Sequence, residues 1–150
     1  HAFQSREVEK TYHAFLYAVP RERAGEIALP IGRSRNDFRK YSAKRGARGK
    51  LREALTRYRV LKTGGDFSFV EAQPRTGRTH QIRVHFRAIG HPIVCDRRYA
   101  AGRACALGFE RLALHARTIT LTHASGVRLC LEAPLPADFE HALEALARMV

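Results

Sequence analysis

The amino-acid sequence predicts an α+β domain in which a mixed, mainly antiparallel β-sheet carries flanking helices. Several short runs are rich in aromatic and β-branched side chains, alternate with polar residues and end at proline or glycine, which is typical of strands. Two other segments repeat apolar residues at helical spacing. The 150 residues fit one domain, and the sequence contains no repeat, low-complexity tract or linker that would divide them.

The first half of the chain holds four predicted strands. Residues 11–19 (TYHAFLYAV) predict a strand that Pro20 ends, and a second short strand follows at about residues 27–29. Residues 56–62 and 66–73 alternate polar and apolar side chains on either side of a two-glycine turn, which indicates a β-hairpin. The basic segment that lies between these two pairs of strands is interpreted as an exposed loop.

The first predicted helix lies within residues 75–92. Ile82, Phe86 and Ile89 recur there at helical spacing, and a glycine followed by a proline ends the pattern. Thr79 is placed to cap the amino terminus of this helix with its hydroxyl group.

The last part of the chain predicts two more strands and a second helix. The strands cover residues 114–122 and 127–131, and a turn containing Ser125-Gly126 joins them. The second helix begins after Pro136 and is amphipathic. Its apolar face consists of Phe139, Leu143, Leu146 and Val150.

The charge of the chain predicts a polyanionic partner. Lysine and arginine number 27 against 14 aspartate and glutamate residues, which gives a net charge of +13. Nine of these cations lie in residues 33–52 (RSRNDFRKYSAKRGARGKLR), together with the single acid Asp37 and the aromatic residues Phe38 and Tyr41. Cations mixed with aromatic rings suit phosphates and stacked bases, and the segment has no apolar face for a bilayer. RNA is therefore favoured over a membrane, and a solvated loop of a basic protein is the alternative.

The candidate RNA-binding residues of this segment share a positive charge and a place in the predicted loop. They are Arg33, Arg35, Arg39, Lys40, Lys44 and Arg45.

Three cysteines, Cys95, Cys105 and Cys130, predict neither a disulfide framework nor a zinc ribbon, because their number is odd and no CxxC pair occurs. A reducing compartment suits them. No apolar run approaches the roughly 18 residues of a membrane span, and the amino-terminal stretch lacks the features of a signal peptide. We expect a soluble, cytoplasmic monomer that binds no metal.

Residues 75–99 (RTGRTHQIRVHFRAIGHPIVCDRRY) carry the pattern richest in chemical groups. A turn at Gly77 between two arginines places backbone N–H and guanidinium groups at the start of a helix, where anions bind readily. Along the helix, His80, Arg83 and Arg87 share one face, opposite the apolar one. This face predicts contact with a ligand or an acidic partner. A structural role, in which Arg83 covers apolar surface, is the alternative.

These residues resemble the signature of the RluA-like pseudouridine synthases, which modify ribosomal and transfer RNA. The resemblance rests on TGRTHQIRVH followed by GHPI, Asp96 and Tyr99. Further similarities are the K-x-Y strand at Lys10-Thr11-Tyr12, the P-I segment at Leu29-Pro30-Ile31, the strand residues Phe67-Ser68 and Val70-Glu71, and the L-H-A strand at Leu114-His115-Ala116. The resemblance implies that residues 1–150 are the carboxy-terminal larger part of the catalytic fold, incomplete at its amino-terminal side.

The resemblance also implies an activity that needs no cofactor, the isomerisation of uridine to pseudouridine in structured RNA. The glycosidic bond of a uridine is broken, the base turns, and carbon five is joined to the ribose. In the family an aspartate acts as nucleophile or proton acceptor, and the arginine that matches Arg83 pairs with that carboxylate through its guanidinium fork. The tyrosine that matches Tyr12 stacks on the flipped base. Arg78, His80 and Gln81 are expected to bind RNA.

The sequence departs from the family at the catalytic aspartate. The family motif reads approximately H-R-L-D and precedes K-x-Y, whereas the nine residues before Lys10 contain no aspartate. The aspartates of the chain are Asp37, Asp66, Asp96 and Asp138, and none is a convincing replacement. Asp96 is expected to be a structural, hydrogen-bonding carboxylate, and Cys95 stands before it where the family usually has glycine. We expect the chain alone to be inactive.

Two other functions stay open on the sequence. One is an RNA-binding remnant without catalysis, and the other is a metal-dependent RNA-processing enzyme. Ligands for the metal would be His80, His85, His91 and Cys95, but their spacing matches no zinc motif. His80 is expected to contact RNA or to pack, and His85 and His91 to be structural residues with hydrogen-bonded rings.

Overall fold

The computed structural model describes residues 8–43 and 46–150. In chain order its strands are β1 (Val8–Tyr17), β2 (Ala24–Ile27), β3 (Ile31–Ser34), β4 (Tyr41–Ala43), β5 (Ala47–Arg52), β6 (Thr56–Gly64), β7 (Phe67–Pro74), β8 (Leu114–Thr122) and β9 (Arg128–Glu132). The helices are α1 (Gln81–Ala88) and α2 (Ala137–Ala147). All strand pairings between these elements are antiparallel, so the predicted α+β class is confirmed. None of the helices in the described ranges is long and apolar enough to cross a membrane.

The larger sheet has six strands in the order β2-β6-β7-β1-β8-β9. The predicted hairpin is its β6-β7 pair, and the strand predicted at residues 27–29 ends earlier, at Ile27. Successive side chains of a strand point to opposite faces, so Tyr12 and Ala14 share one face of central strand β1 while Phe15 points to the other. Tyr12 lies between Ala72 of β7 and Ala116 of β8 in the register. These small neighbours leave room beside the Tyr12 ring.

An aromatic core fills the face of this sheet that α2 covers. The ring of Phe15 lies 4.8 Å from that of Phe69 and 5.4 Å from that of Phe139, measured between ring centroids. All three side chains are buried. Gly64 is required where β6 meets α2, because a Cβ atom there would collide with the backbone carbonyl of Leu146. The core therefore fixes α2 against the β6-β7 side of the sheet.

The apolar face predicted for α2 is confirmed except at its end. Phe139 and Leu146 are buried, and Leu143 packs partly against the core. Val150 is 97% exposed, so its assignment to this face is wrong. The reason is that α2 ends at Ala147, and the residues beyond it no longer follow the helical repeat.

The basic segment is not a loop, which corrects the interpretation from the sequence. It forms three short strands in the order β4-β3-β5. Ile31 and Ala47 are buried, while the arginines beside them in these strands stay exposed. Ile31 packs with Val84 of α1 and with Tyr99 in a second, smaller core. This core fixes the small sheet against α1.

Helix α1 begins at Gln81, and the prediction that Thr79 caps it is wrong. The capping position is held by His80, whose left-handed φ is 55° and whose side chain makes no capping hydrogen bond. The side chain of Gln81 organises this turn instead. Its Oε1 accepts hydrogen bonds from the hydroxyl of Thr76 at 2.6 Å and from the backbone N–H of Arg78 at 3.1 Å.

A disulfide joins Cys95 to Cys105, which the number and spacing of the cysteines did not predict. Cysteine number and spacing identify frameworks and metal motifs, but they do not detect a single bond closed by local turns. Here the turns after Asp96 bring Cys105 back until the two Cα atoms lie 4.4 Å apart, a separation that suits a disulfide. Cys130 is free and exposed.

Candidate functional site

A cleft of about 410 Å³ lies where β1 and β8 meet the loop that leads into α1. Tyr12 of β1 and Leu114 of β8 lie in its wall on the sheet side, and Arg78, His80 and Arg83 lie in its wall on the helix side. The ring of Tyr12 is partly buried. Residues that are far apart in the sequence and were singled out separately thus line the same cleft.

Arg83, which lines this cleft, makes a bidentate ion pair with the buried Asp96. Its Nε and Nη2 atoms donate to Oδ2 and Oδ1 of the carboxylate, each at 2.8 Å, and this hydrogen bonding raises the pKa of Arg83. Asp96 is 2% exposed, and its Oδ1 also accepts from the backbone N–H groups of Arg98 and Tyr99. The expected structural role of Asp96 is confirmed. A guanidinium group has about five N–H donors, so most of the Arg83 donors remain available for a second acceptor.

The ring of His80 is held by Tyr99. The Nδ1 atom lies 2.8 Å from the Tyr99 hydroxyl, whose oxygen also accepts the backbone N–H of Tyr41 at 3.1 Å. Burial lowers the pKa of His80, and the charges of Arg83 and Arg98 lower it further. The imidazole is therefore neutral at neutral pH. The Tyr99 hydroxyl can donate to Nδ1, and in that tautomer the imidazole hydrogen lies on Nε2, where it can be donated to a ligand.

Gln81, which was expected to bind RNA, lines the first cleft and uses its amide group within the protein. It is buried, and besides the two hydrogen bonds to its Oε1 its Nε2 donates to the carbonyl of Leu55 at 2.9 Å and to the hydroxyl of Thr56 at 3.0 Å. An amide group has two donor hydrogens and two acceptor lone pairs, so its capacity is used within the protein. Gln81 orients the loop that carries Arg78.

The two other histidines of the signature, His85 and His91, differ in their hydrogen bonding. His85 is buried, and its ring nitrogens lie 2.9 Å from the Thr56 hydroxyl and 2.8 Å from the Leu29 carbonyl, which confirms its structural role. The buried Nδ1 of His91 has no partner, so the expectation that both its nitrogens are hydrogen-bonded is wrong. The Cys95 sulfur is in a disulfide and is no thiolate ligand. Within residues 8–43 and 46–150, no three His, Cys, Asp or Glu side chains are grouped so that they could hold a metal ion.

One buried and two half-buried histidines predict a loss of stability in mild acid. Burial is the largest cause that lowers the pKa of His13, His80 and His85. Above about pH 6.5 these groups are neutral in both the folded and the unfolded state. As the pH falls from there toward the lowered pKa values, the unfolded state takes up more protons than the folded state, so the free energy of unfolding decreases.

Urea unfolding at about pH 7.5 and about pH 5.5 measures this effect. Glutamine takes up no proton. Replacing His85 with Gln should therefore reduce the difference in the free energy of unfolding between the two pH values. The control is His141→Gln, since His141 is exposed on α2 and its replacement should leave the difference unchanged. An equal or higher stability at the lower pH would contradict the prediction.

The basic residues between β3 and β4 contact protein groups outside the first cleft. Arg39 and Lys40 lie 3.2 Å and 3.6 Å from the carboxylate of Asp37, and the backbone N–H of Arg39 is the main cause that lowers the pKa of Asp37. Arg35 donates to the Ala47 carbonyl at 2.9 Å. These three cations do not line the cleft that contains Tyr12. Lys44 and Arg45 lie outside the described residues.

Arg33 lines a second cleft of about 360 Å³, together with Lys50, Arg52 and Arg78. Sequence reasoning did not single out Lys50 and Arg52. A signal for them exists, because Lys50 and Arg52 stand two positions apart in β5, as residues on one face of a strand do.

Comparison with known proteins shows similarity along the whole chain. The family model described as RNA pseudouridylate synthase matches residues 1–88. An uncharacterized RNA pseudouridine synthase of Mycobacterium tuberculosis is 40% identical over 148 residues, which cover 97% of this chain and 47% of the relative. The ribosomal large subunit pseudouridine synthase C of Vibrio cholerae is 48% identical over 93 residues, which cover 59% of this chain and 30% of the relative.

Solved structures show the same relationship. Human RNA pseudouridylate synthase domain containing 1 superimposes with a TM-score of 0.77 and 33% sequence identity, over 93% of this chain and 58% of the human one. The chain spans about half the length of the curated relatives it matches.

Proposed function

This chain belongs to the RNA pseudouridylate synthase family, in its RluA-like group, and from that premise we propose that it holds the target uridine of a pseudouridine synthase that acts on structured RNA. The observation that carries the proposal is the cleft shared by Tyr12 and Arg83. Both residues match functional positions of the family signature, although β1 and α1 are distant in sequence. The catalytic carboxylate is proposed to come from an H-R-L-D segment outside these 150 residues.

In the proposed reaction each residue of the cleft has a separate task. The ring of Tyr12 stacks on the uracil that has left its helix and replaces the stacking it has lost. The guanidinium of Arg83, fixed by Asp96, uses its remaining donors to hold the catalytic carboxylate ionised and oriented. The neutral His80 donates its Nε2 hydrogen to a carbonyl oxygen of the base or to the RNA backbone. Arg78 neutralises a phosphate at the rim.

The isomerisation breaks the bond between N1 of uracil and C1′ of the ribose and forms a bond between C5 and C1′. The hydrogen at C5 is lost in the second half of the reaction, and N1 of the product carries a hydrogen instead. Neither step changes the oxidation state of the RNA or needs a second substrate. Residues that stack on the base, orient the reacting groups and neutralise charge are therefore sufficient for the reaction once the catalytic carboxylate is present.

Ribosomal or transfer RNA is the proposed substrate class. The net charge of +13 fits folded RNA, which proteins recognise largely by shape and backbone contacts. The printed name of the Vibrio cholerae relative refers to the large ribosomal subunit, which supports ribosomal RNA as the first substrate to test. An RNA-binding module without catalysis is the second candidate, since the net charge of +13 fits RNA binding with or without catalysis.

Release of tritium from carbon five of labelled uridine tests the proposed reaction. We expect ribosomal RNA to release tritium when it is treated with a longer product of the same gene that includes the H-R-L-D aspartate. The 150-residue chain alone should release none, because none of its four aspartates lies in an H-R-L-D motif. Release by the chain alone would refute the missing-nucleophile argument. Failure of the longer product on ribosomal and transfer RNA would support the non-catalytic alternative.

A further inference from the structure

The second cleft carries four positively charged side chains and no negative one. Arg33, Lys50, Arg52 and Arg78 line it, together with uncharged residues of the small sheet and of the loop before α1. None of these four cations takes part in an ion pair among residues 8–43 and 46–150. The cleft on the Asp37 side of the same sheet differs, since its cations face a carboxylate. The second cleft is therefore strongly electropositive.

Two of the cations are held in place by uncharged partners. The Arg33 guanidinium lies 4.7 Å from the centroid of the Tyr41 ring and donates to the carbonyl of Phe38 at 3.1 Å. Arg78 donates through Nε to the carbonyl of Glu53 at 2.8 Å. Each of these contacts fixes the side chain, keeps its full charge and leaves further N–H donors available. Such prepositioned guanidinium groups suit the oxygen atoms of a phosphate.

Backbone donors add to this electropositive surface. Gly77 and Thr79 line the second cleft in the loop before α1. No hydrogen bond among the described residues uses the backbone N–H of either one, although the neighbouring N–H of Arg78 is bonded to Gln81. Free N–H groups that precede a helix are good donors to an anion.

The two clefts share a wall. Gly77 and Arg78 line the second cleft and also the cleft that contains Tyr12 and Arg83. An RNA strand whose base enters the first cleft would therefore carry its adjoining backbone across Arg78. Beyond Arg78, the same RNA backbone would meet Lys50 and Arg52 in the second cleft.

We propose that this second cleft binds the phosphodiester group next to the target uridine and so fixes the strand while the base is held in the first cleft. The inference rests on the proposed function and extends it to a defined contact with the RNA backbone. A stacked base is a poorer occupant, because the Tyr41 ring is covered by Arg33. The ligand class is a phosphate diester, held by cations and backbone N–H groups without regard to base sequence.

RNA binding by the chain tests this contact. The probe is an RNA hairpin with an all-uridine loop, and affinity is measured over a series of salt concentrations. Lys50→Ala combined with Arg52→Ala should weaken binding and reduce the slope of log affinity against log salt by about one to two, roughly one for each lost phosphate contact. The matched control is Arg21→Ala with Arg23→Ala, which removes the same charge from exposed positions that do not line either cleft. Equal effects of the two double variants would overturn the proposal.

A neutral backbone analogue locates the contact. Methylphosphonate linkages are placed in the same hairpin beside one loop uridine, so that a single phosphate loses its charge. The parent chain should bind this hairpin less tightly than the unmodified one, whereas the Lys50→Ala/Arg52→Ala chain should bind both about equally. If the methylphosphonate lowers the RNA affinity of both chains to the same extent, the phosphate is bound elsewhere and the proposal is wrong. Circular dichroism checks that both double variants are folded.

Failure of this inference is distinguishable from failure of the proposed function. If the longer product releases tritium but Lys50→Ala/Arg52→Ala binds RNA like the control variant, the phosphate contact is rejected. The proposed isomerase activity is then still supported. Loss of the methylphosphonate effect in the double variant supports the contact even when no tritium is released. A polyglutamate peptide that displaces the hairpin as effectively as unlabelled RNA would reject a phosphate diester as the specific ligand.

Discussion

Replacing Arg83 with alanine should lower the free energy of unfolding by about 3–5 kcal/mol, the range observed when one partner of a buried ion pair is removed. The Asp96 carboxylate is fully buried and the Arg83 side chain is 19% exposed. Without the guanidinium, a charged group would remain in the interior with only the backbone N–H groups of Arg98 and Tyr99 as partners. Because these two donors remain, we expect a loss near the lower end of the range. Urea unfolding of the 150-residue chain measures it.

Two further variants separate the buried charge from a general effect of losing an arginine. Arg59→Ala removes the partner of Glu71 from an exposed pair, in which the Arg59 side chain is 63% exposed, and should cost about 1 kcal/mol or less. Adding Asp96→Asn to Arg83→Ala should recover part of the loss, because it removes the unpaired charge. A loss for Arg83→Ala no greater than that for Arg59→Ala would contradict the prediction.

Arg83→Lys should lower kcat for tritium release by about 100-fold or more in a longer product of the gene that carries the catalytic aspartate, because a misplacement of about 1 Å at a reacting group has an effect of this size. An ammonium group keeps the charge but lacks the planar fork. The lysine ammonium therefore cannot hydrogen-bond both oxygens of Asp96 and at the same time orient the catalytic carboxylate. The affinity for RNA should change little, because the net charge is the same.

The separation of kcat from RNA affinity distinguishes this positioning role from a loss of folding. Arg59→Lys makes the same chemical change outside both clefts and should leave kcat unchanged. Circular dichroism and RNA binding show whether the Arg83→Lys protein is folded. Near-normal kcat in the Arg83→Lys enzyme would show that the guanidinium fork is not needed to position the catalytic carboxylate.

Local patterns in the sequence were sufficient for the main elements. The alternation on both sides of Gly64-Gly65 predicted the β6-β7 hairpin, and the spacing of Ile82 and Phe86 predicted α1. Both patterns reflect the geometry of a single element, in which side chains recur every two residues in a strand and about every 3.6 residues in a helix. The resemblance to the family predicted that Tyr12 and Arg83 belong to one uridine pocket, and both residues line the first cleft.

Patterns that depend on packing were missed. The three strands around residues 33–52 have few apolar residues, and their inner side is filled by contacts with Val84 and Tyr99, which follow much later in the chain. The bend that joins Cys95 to Cys105 depends on local turns that spacing does not record. Sequence reasoning also assigned Gln81 to RNA, whereas the fold uses its amide to connect Leu55 with the loop before α1.

By itself, the sequence determined the α+β class, the family and the positive charge, since each can be counted or matched along the chain. The tertiary structure decided which groups face one another. It paired Arg83 with Asp96, and it placed Lys50 and Arg52 beside Arg78 in the cleft next to Tyr12. The physical reason is that periodicity constrains one element at a time, whereas an ion pair or a cleft depends on how several elements pack.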